Sequence, residues 1–167
     1  ELLWQRIAHR VQGVKEGSIP REQMLLPGSI ELLEALRARG VVCYLASGTD
    51  IAFVRDEAEA LGLTPYFRGG VYGALDDWKS FSKAILIQRI LSEHNLQGNE
   101  LLGFGDGFVE IENVAAVGGV AVGVASDEVH PGRVNEWKRQ RLANAGAHMI
   151  VADFTCHDEL MGLLFGA

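Results

Sequence analysis

Positive charge is scarce in this sequence: 15 Lys and Arg stand against 22 Asp and Glu, for a formal net charge of −7. A nucleic-acid-binding protein needs a basic face to neutralise phosphates, so the composition argues against that class. Any phosphorylated ligand must instead be met by cations gathered at one place. Cysteine is scarcer still. Cys43 and Cys156 are the only two, and neither belongs to a paired-cysteine spacing, which leaves no disulfide or zinc framework. Long apolar runs are missing too: none approaches the roughly 20 residues that span a bilayer. Glu1 to Arg10 does not read as a signal peptide, so the expected location is the cytoplasm. What remains is a chain of ordinary globular composition whose 167 residues can bury a substantial core as one domain.

From Ser29 onward, strand-like and helix-like segments alternate, the pattern of a parallel sheet with helices on both faces. Ser29 can cap a helix with Glu31 and Glu34 early, Arg37 and Arg39 late, Gly40 as its stop and Ile30, Leu33 and Leu36 as its buried stripe. A strand over Val41–Ala46 follows, then a helix over Ile51–Leu61 with Ile51, Val54, Ala58 and Leu61 on one face. A short strand near Gly70–Gly73 precedes a helix that begins at Ser82 and carries Ile85, Ile90 and Leu91. Leu101–Phe104 reads as a strand, and Val120–Ala125 as a fully buried one. Glu136–Ala145 is helical, His148–Phe154 is a strand and Cys156–Phe165 is a closing helix. Trp4, Ile7, Val11 and Val14 fall at helical spacing, so Glu1 to Lys15 is an amphipathic helix, either part of a lid or a plain core helix.

Three places carry chemistry. Leu101–Phe104 runs into Gly105-Asp106-Gly107, which puts Asp106 at the carboxyl edge of a sheet, where open α/β folds hold their ligands, with the glycines permitting a tight turn. Glu110 and Glu112 follow at the start of a helix, and such oxygen ligands suit Mg²⁺, which takes only one or two protein carboxylates. Second, Ser47-Gly48-Thr49 ends the strand before a helix. It reads either as a turn or as a cradle whose hydroxyl and N–H groups meet phosphate oxygens. Third, Lys83 opens a helix, where a lysine opposes the helix dipole and an acid would be the ordinary choice; that local misfit points to function. One helix and one strand separate Lys83 from Asp106, so both can return to the same edge.

In that order these segments resemble the haloacid dehalogenase (HAD) superfamily, most of whose members are Mg²⁺-dependent phosphatases. Val41-Val-Cys-Tyr-Leu-Ala-Ser47 matches the second family motif, Ser82-Lys83 the third and Gly105-Asp-Gly-Phe-Val-Glu110 the fourth, with Glu110 where many members carry Asp. The resemblance runs from Leu25 to Phe165. It implies a Rossmann-like α/β core over residues 25–167, with residues 1–24 as the remnant of a helical cap. It also implies a small phosphorylated substrate bound by Ser47, Gly48, Thr49 and Lys83, and Mg²⁺ held by Asp106 and Glu110, with Glu112 as a rival of poorer spacing. Catalytic roles fall to Ser47 and Lys83.

The family's first motif, a strand ending in Asp-x-Asp-Gly whose first Asp attacks phosphorus, does not occur in the sequence. Asp76-Asp77 leads into Trp78 and Asp153 into Phe-Thr-Cys, and neither precedes Ser47. Without the attacking carboxylate the aspartyl-phosphate route is closed to this chain alone. In the family's sheet that first strand lies between the strands of Ser47 and Asp106, so two unpaired edges are expected. A missing upstream segment, or a second copy, could fill them.

Further readings stand beside this one. A catalytically inactive binding or assembly module needs no nucleophile. A dinucleotide-binding domain is suggested by Gly103-Phe-Gly105-Asp-Gly107, but Phe108 takes the place of the third glycine of G-x-G-x-x-G. Asp153, Cys156, His157 and Asp158 could be metal ligands, although Thr155 with Asp158 reads better as a helix cap. Arg55, Tyr66 and Arg68 are candidate substrate contacts, against the ordinary reading of solvated surface.

Overall fold

The computed structural model describes residues 2–74 and 82–166. The chain forms two compact units, one from Glu1–Ser80 with Phe154–Ala167 and the other from Phe81–Asp153. Both are α/β, with parallel strands throughout.

The first unit contains helices α1 (Leu2–Glu16), α2 (Ser29–Ala38), α3 (Ile51–Ala60) and α7 (His157–Phe165) and strands β1 (Tyr44–Asp50) and β2 (Gly70–Ala74), with α3 against both strands. The strands pair in register from Tyr44 opposite Gly70 to Ala46 opposite Tyr72, and α3 makes the crossover. Val54, Ala58 and Leu61 are buried as expected. Ser29, by contrast, is the first helical residue and not the cap; Gly28 takes that place in the left-handed conformation, and Ser29 Oγ donates to the Leu26 carbonyl at 2.5 Å. Glycine is required at 28 because a Cβ there would overlap the Phe154 carbonyl, where the C-terminal segment returns and the Phe154 N–H donates to Pro27 O at 2.8 Å. The buried stripe of α2 is Leu32 and Leu36, rotated from the expected Ile30–Leu33–Leu36 because α2 faces α7. Gly40 does end α2, with φ of 73° and the Val41 N–H reaching back to Leu36 O. α1 lies against α3 and buries Val11. The Lys15–Asp56 pair at 2.5 Å joins two exposed side chains and adds little stability.

In the second unit, β3 (Leu102–Gly105), β4 (Val120–Val124) and β5 (Met149–Val151) form a sheet in chain order, with α5 (Phe108–Ala116) and α6 (Glu136–Asn144) as the connections and α4 (Lys83–Glu93) ahead of β3. β4 is central, which explains its small, wholly apolar run. Ile111, Val114, Ala121, Ala125 and Leu142 form the core cluster, and Leu142 packs over Gly123, where a Cβ would come within 3.1 Å of it. On α4 the buried residues are Leu86 and Ile90, while Ile85 is 56% exposed. β5 is shorter than the His148–Phe154 expected, because His148 precedes the ladder and its Nδ1 accepts from the Ala121 N–H at 3.0 Å.

β1 and β3 belong to separate sheets. Among the described residues each pairs along one edge only, β1 with β2 and β3 with β4. That agrees with a Rossmann-like core whose first strand is absent from the chain.

Candidate active site

Asp106 directly follows β3, and Gly107 precedes the first turn of α5. The chain turns there without left-handed backbone: Gly107 has φ −101° and ψ 146°, and Gly105 is not among the glycines of positive φ. The glycines therefore serve a purpose other than the tight turn expected. A Cβ on Gly105 would sit 2.9 Å from the Glu110 Cβ, and one on Gly107 would fall on the Glu110 carboxylate. Both leave room for Glu110 to fold back over the end of β3.

That position brings Glu110 to Lys83. The Lys83 ammonium donates to Glu110 Oε1, an ion pair whose side chains keep 22% and 28% of their exposure. Burial lowers the Lys83 pKa from the ordinary lysine value, and the charge of Asp106 partly offsets the fall. Lysine, aspartate and glutamate thus gather where β3 ends, as the chain spacing of Lys83 and Asp106 foretold. Glu112 is exposed, on a different part of α5.

Ser47 lies in the first unit, within β1 and not beyond its end as expected, because the strand runs on to Asp50 after an irregularity past Ala46. Its Oγ accepts from the Thr49 N–H at 3.2 Å, a local turn. Gly48 is exposed. The helix cap that follows is Asp50, whose carboxylate accepts from the Ala52 N–H at 2.8 Å. Tyr66 is occupied elsewhere: its hydroxyl donates to Glu34 at 2.6 Å and its ring lies under Arg37. Arg55 and Arg68 are exposed. Among the described residues no group of three or more His, Cys, Asp or Glu could hold a metal, so Asp153, Cys156, His157 and Asp158 do not form one. The residue at the N-cap position of α7 is Cys156, one past the Thr155 expected. Asp76, Asp77 and Trp78 lie outside the described residues.

One cavity, of about 250 Å³, opens beside Asp106 in the second unit. It is bounded by Phe108 on α5 and by Trp137, Lys138 and Arg141 on α6. Sequence reasoning missed these residues; the available signal was the i, i+4 placement of Trp137 and Arg141 on one helix face.

A family model for haloacid dehalogenase-like hydrolases matches residues 5–118, more than half of the sequence. The chain belongs to the haloacid dehalogenase-like hydrolases. The fold of the family is shared with solved structures at low identity. A conserved haloacid dehalogenase-like protein of unknown function from Agrobacterium tumefaciens is 15% identical with a TM-score of 0.66, over 83% of this chain and 60% of that one. A predicted phosphoglycolate phosphatase from Haemophilus somnus is 19% identical with a TM-score of 0.63, over 81% and 56%. A HAD family hydrolase from Deinococcus radiodurans, crystallised with bound phosphate and sodium, is 20% identical with a TM-score of 0.63, over 83% and 58%. The chain thus spans less than two thirds of the length of each. No curated protein matches it. Among the described residues no helix is long and apolar enough to cross a membrane.

Proposed function

We propose that the chain is the C-terminal part of a cytoplasmic Mg²⁺-dependent phosphomonoester hydrolase acting on small phosphorylated substrates. The observation that carries this reading is the meeting of Lys83, Asp106 and Glu110 at the end of β3. Phosphoryl transfer is catalysed mainly by positioning and by neutralising charge on the equatorial oxygens, which calls for a cation and a metal-binding carboxylate together.

Each residue takes the role its family motif gives it. Ser47, whose oxygen accepts from Thr49, keeps its own hydroxyl proton for a phosphoryl oxygen, and the N–H groups of Gly48 and Thr49 belong to the same phosphate-binding segment. Lys83 balances the charge of the phosphoryl group against the carboxylates. Asp106 and Glu110 suit Mg²⁺: their donors are hard oxygens, few enough to leave positions for water and substrate, and the space kept by Gly105 and Gly107 lets Glu110 approach. When bound, the ion supplies positive charge to the phosphoryl oxygens. Residues 1–24 are the remnant of a cap that selects substrate.

The attacking carboxylate has no counterpart among the 167 residues. On this reading it belongs to an upstream segment that also supplies a further strand, and the chain alone is inactive. The missing Asp-x-Asp-Gly also favours a second reading, an inactive domain that retains the fold for binding or assembly. The test is Mg²⁺-dependent hydrolysis of an aryl phosphate by this chain beside an upstream-extended form. Activity in the extended form alone, abolished by Asp106→Asn, is the expected result. Folded but inactive protein in both forms would overturn the enzyme reading in favour of the binding module.

A further inference from the structure

We propose that Arg141, held against Phe108 and Trp137 beside Asp106, is a specificity residue that binds a second anionic group on the leaving-group side of the phosphorylated substrate. The inference rests on the phosphatase reading above.

Three cations follow one another along α6, and two are already engaged. Arg139 is paired with Glu136, and Lys138 donates to the Ser126 carbonyl at 3.0 Å with Glu128 at 3.9 Å. Arg141 has neither: among the described residues no carboxylate or carbonyl accepts from it. Instead its guanidinium lies over the Phe108 ring at 4.7 Å and over the Trp137 ring at 4.6 Å. These cation–π contacts hold the guanidinium against two rings and leave its N–H donors without a carboxylate or carbonyl acceptor among the described residues, a use for which arginine is suited and lysine is not. Leu142, 1% exposed, pins α6 to the sheet next to it.

Neither ring is there simply to fill the core. Trp137 is 66% exposed and Phe108 41%, and both line the same cavity as Asp106. In a chain of net charge −7, an anionic tail brought near Asp106 is repelled unless a cation meets it. An unpaired guanidinium at that point does so with charge-assisted, bidentate hydrogen bonds. The leaving group is therefore expected to carry a carboxylate or a second phosphate, and to be small enough for a cavity of about 250 Å³.

The test is calorimetric titration of the protein with non-hydrolysable alkylphosphonates of graded spacer length. Each is offered with a terminal carboxylate, with the methyl ester of that carboxylate, or with a terminal phosphonate. A carboxylate or phosphonate terminus is expected to tighten binding about tenfold over the ester at one spacer length. Whichever terminus gains more identifies the anion. In Arg141→Gln the ratio is expected to fall to about one, and in Arg141→Lys to take an intermediate value. Equal binding of acid and ester, no binding of any probe, or a preference that survives Arg141→Gln would each overturn the inference. The phosphatase reading is judged separately, by whether ester binding requires Mg²⁺ and is lost in Asp106→Asn.

Discussion

Gly107→Ala isolates the room kept for Glu110 from every other property of the β3–α5 turn. With φ −101° and ψ 146° the position accepts any residue, and alanine in place of glycine stabilises by about 0.4–1 kcal/mol through the unfolded chain when the backbone is compatible. The new methyl would land on the Glu110 carboxylate, the far end of a flexible side chain. That carboxylate must swing away, and its pairing with Lys83 goes with it. Gly105→Ala makes the informative contrast. Its methyl would stand 2.9 Å from the Glu110 Cβ, an atom fixed to the helix backbone, so α5 itself must shift at a cost of about 1–3 kcal/mol. In urea unfolding, Gly107→Ala should remain within about 1 kcal/mol of the parent while Gly105→Ala is destabilised. By calorimetry, Gly107→Ala should weaken Mg²⁺ binding about 10–100-fold, the usual loss when a group supporting a metal is displaced. Parent-like Mg²⁺ affinity in Gly107→Ala would refute the role given to Glu110. Equal loss of stability in the two variants would refute the distinction between a mobile and a fixed obstacle.

Leu142→Ala should destabilise the second unit by about 2–5 kcal/mol, towards the lower end because Leu142 also borders the cavity and the void opens to solvent; amide exchange at Val122 and Val124 reads this locally. Lys83 has a folded pKa below its unfolded one, so the unfolded chain holds more protons between the two values and stability rises as pH climbs through that window. Lys83→Met should abolish this rise in urea midpoints taken from neutral pH towards the ordinary lysine value, and Asp106→Asn should lower the Lys83 pKa further by NMR titration. The Tyr66 hydroxyl is the main cause holding the Glu34 carboxyl below its ordinary value. Tyr66→Phe should move that titration upward; in the parent the corresponding stability is present above the unfolded value and fades as pH falls through the folded one.

Most elements were legible because their punctuation is local. Gly40, Gly62 and Gly146 take left-handed conformations just after α2, α3 and α6, and helices end where such a residue frees the last carbonyls. β4 read correctly because a central strand is apolar on both faces. Errors fell where tertiary packing chooses among adjacent positions. Leu32 and Leu33 fit a helix stripe almost equally well, and only the packing of α2 against α7 decides that Leu32 goes inside. Likewise Gly28, not Ser29, caps α2 because the returning chain at Phe154 occupies the space a side chain would need.

The sequence by itself determined the family, the alternation of strands and helices and the placing of Lys83 and Asp106 at one sheet edge, since periodicity, caps and motif order act over short stretches of chain. Tertiary structure alone decided why Gly105 and Gly107 are glycine, that Glu110 and not Glu112 turns to Lys83, and that the Arg141 guanidinium lies over both the Phe108 and Trp137 rings beside Asp106. Those outcomes depend on side chains from different elements meeting in space, and their separation along the chain carries no local signal of the meeting.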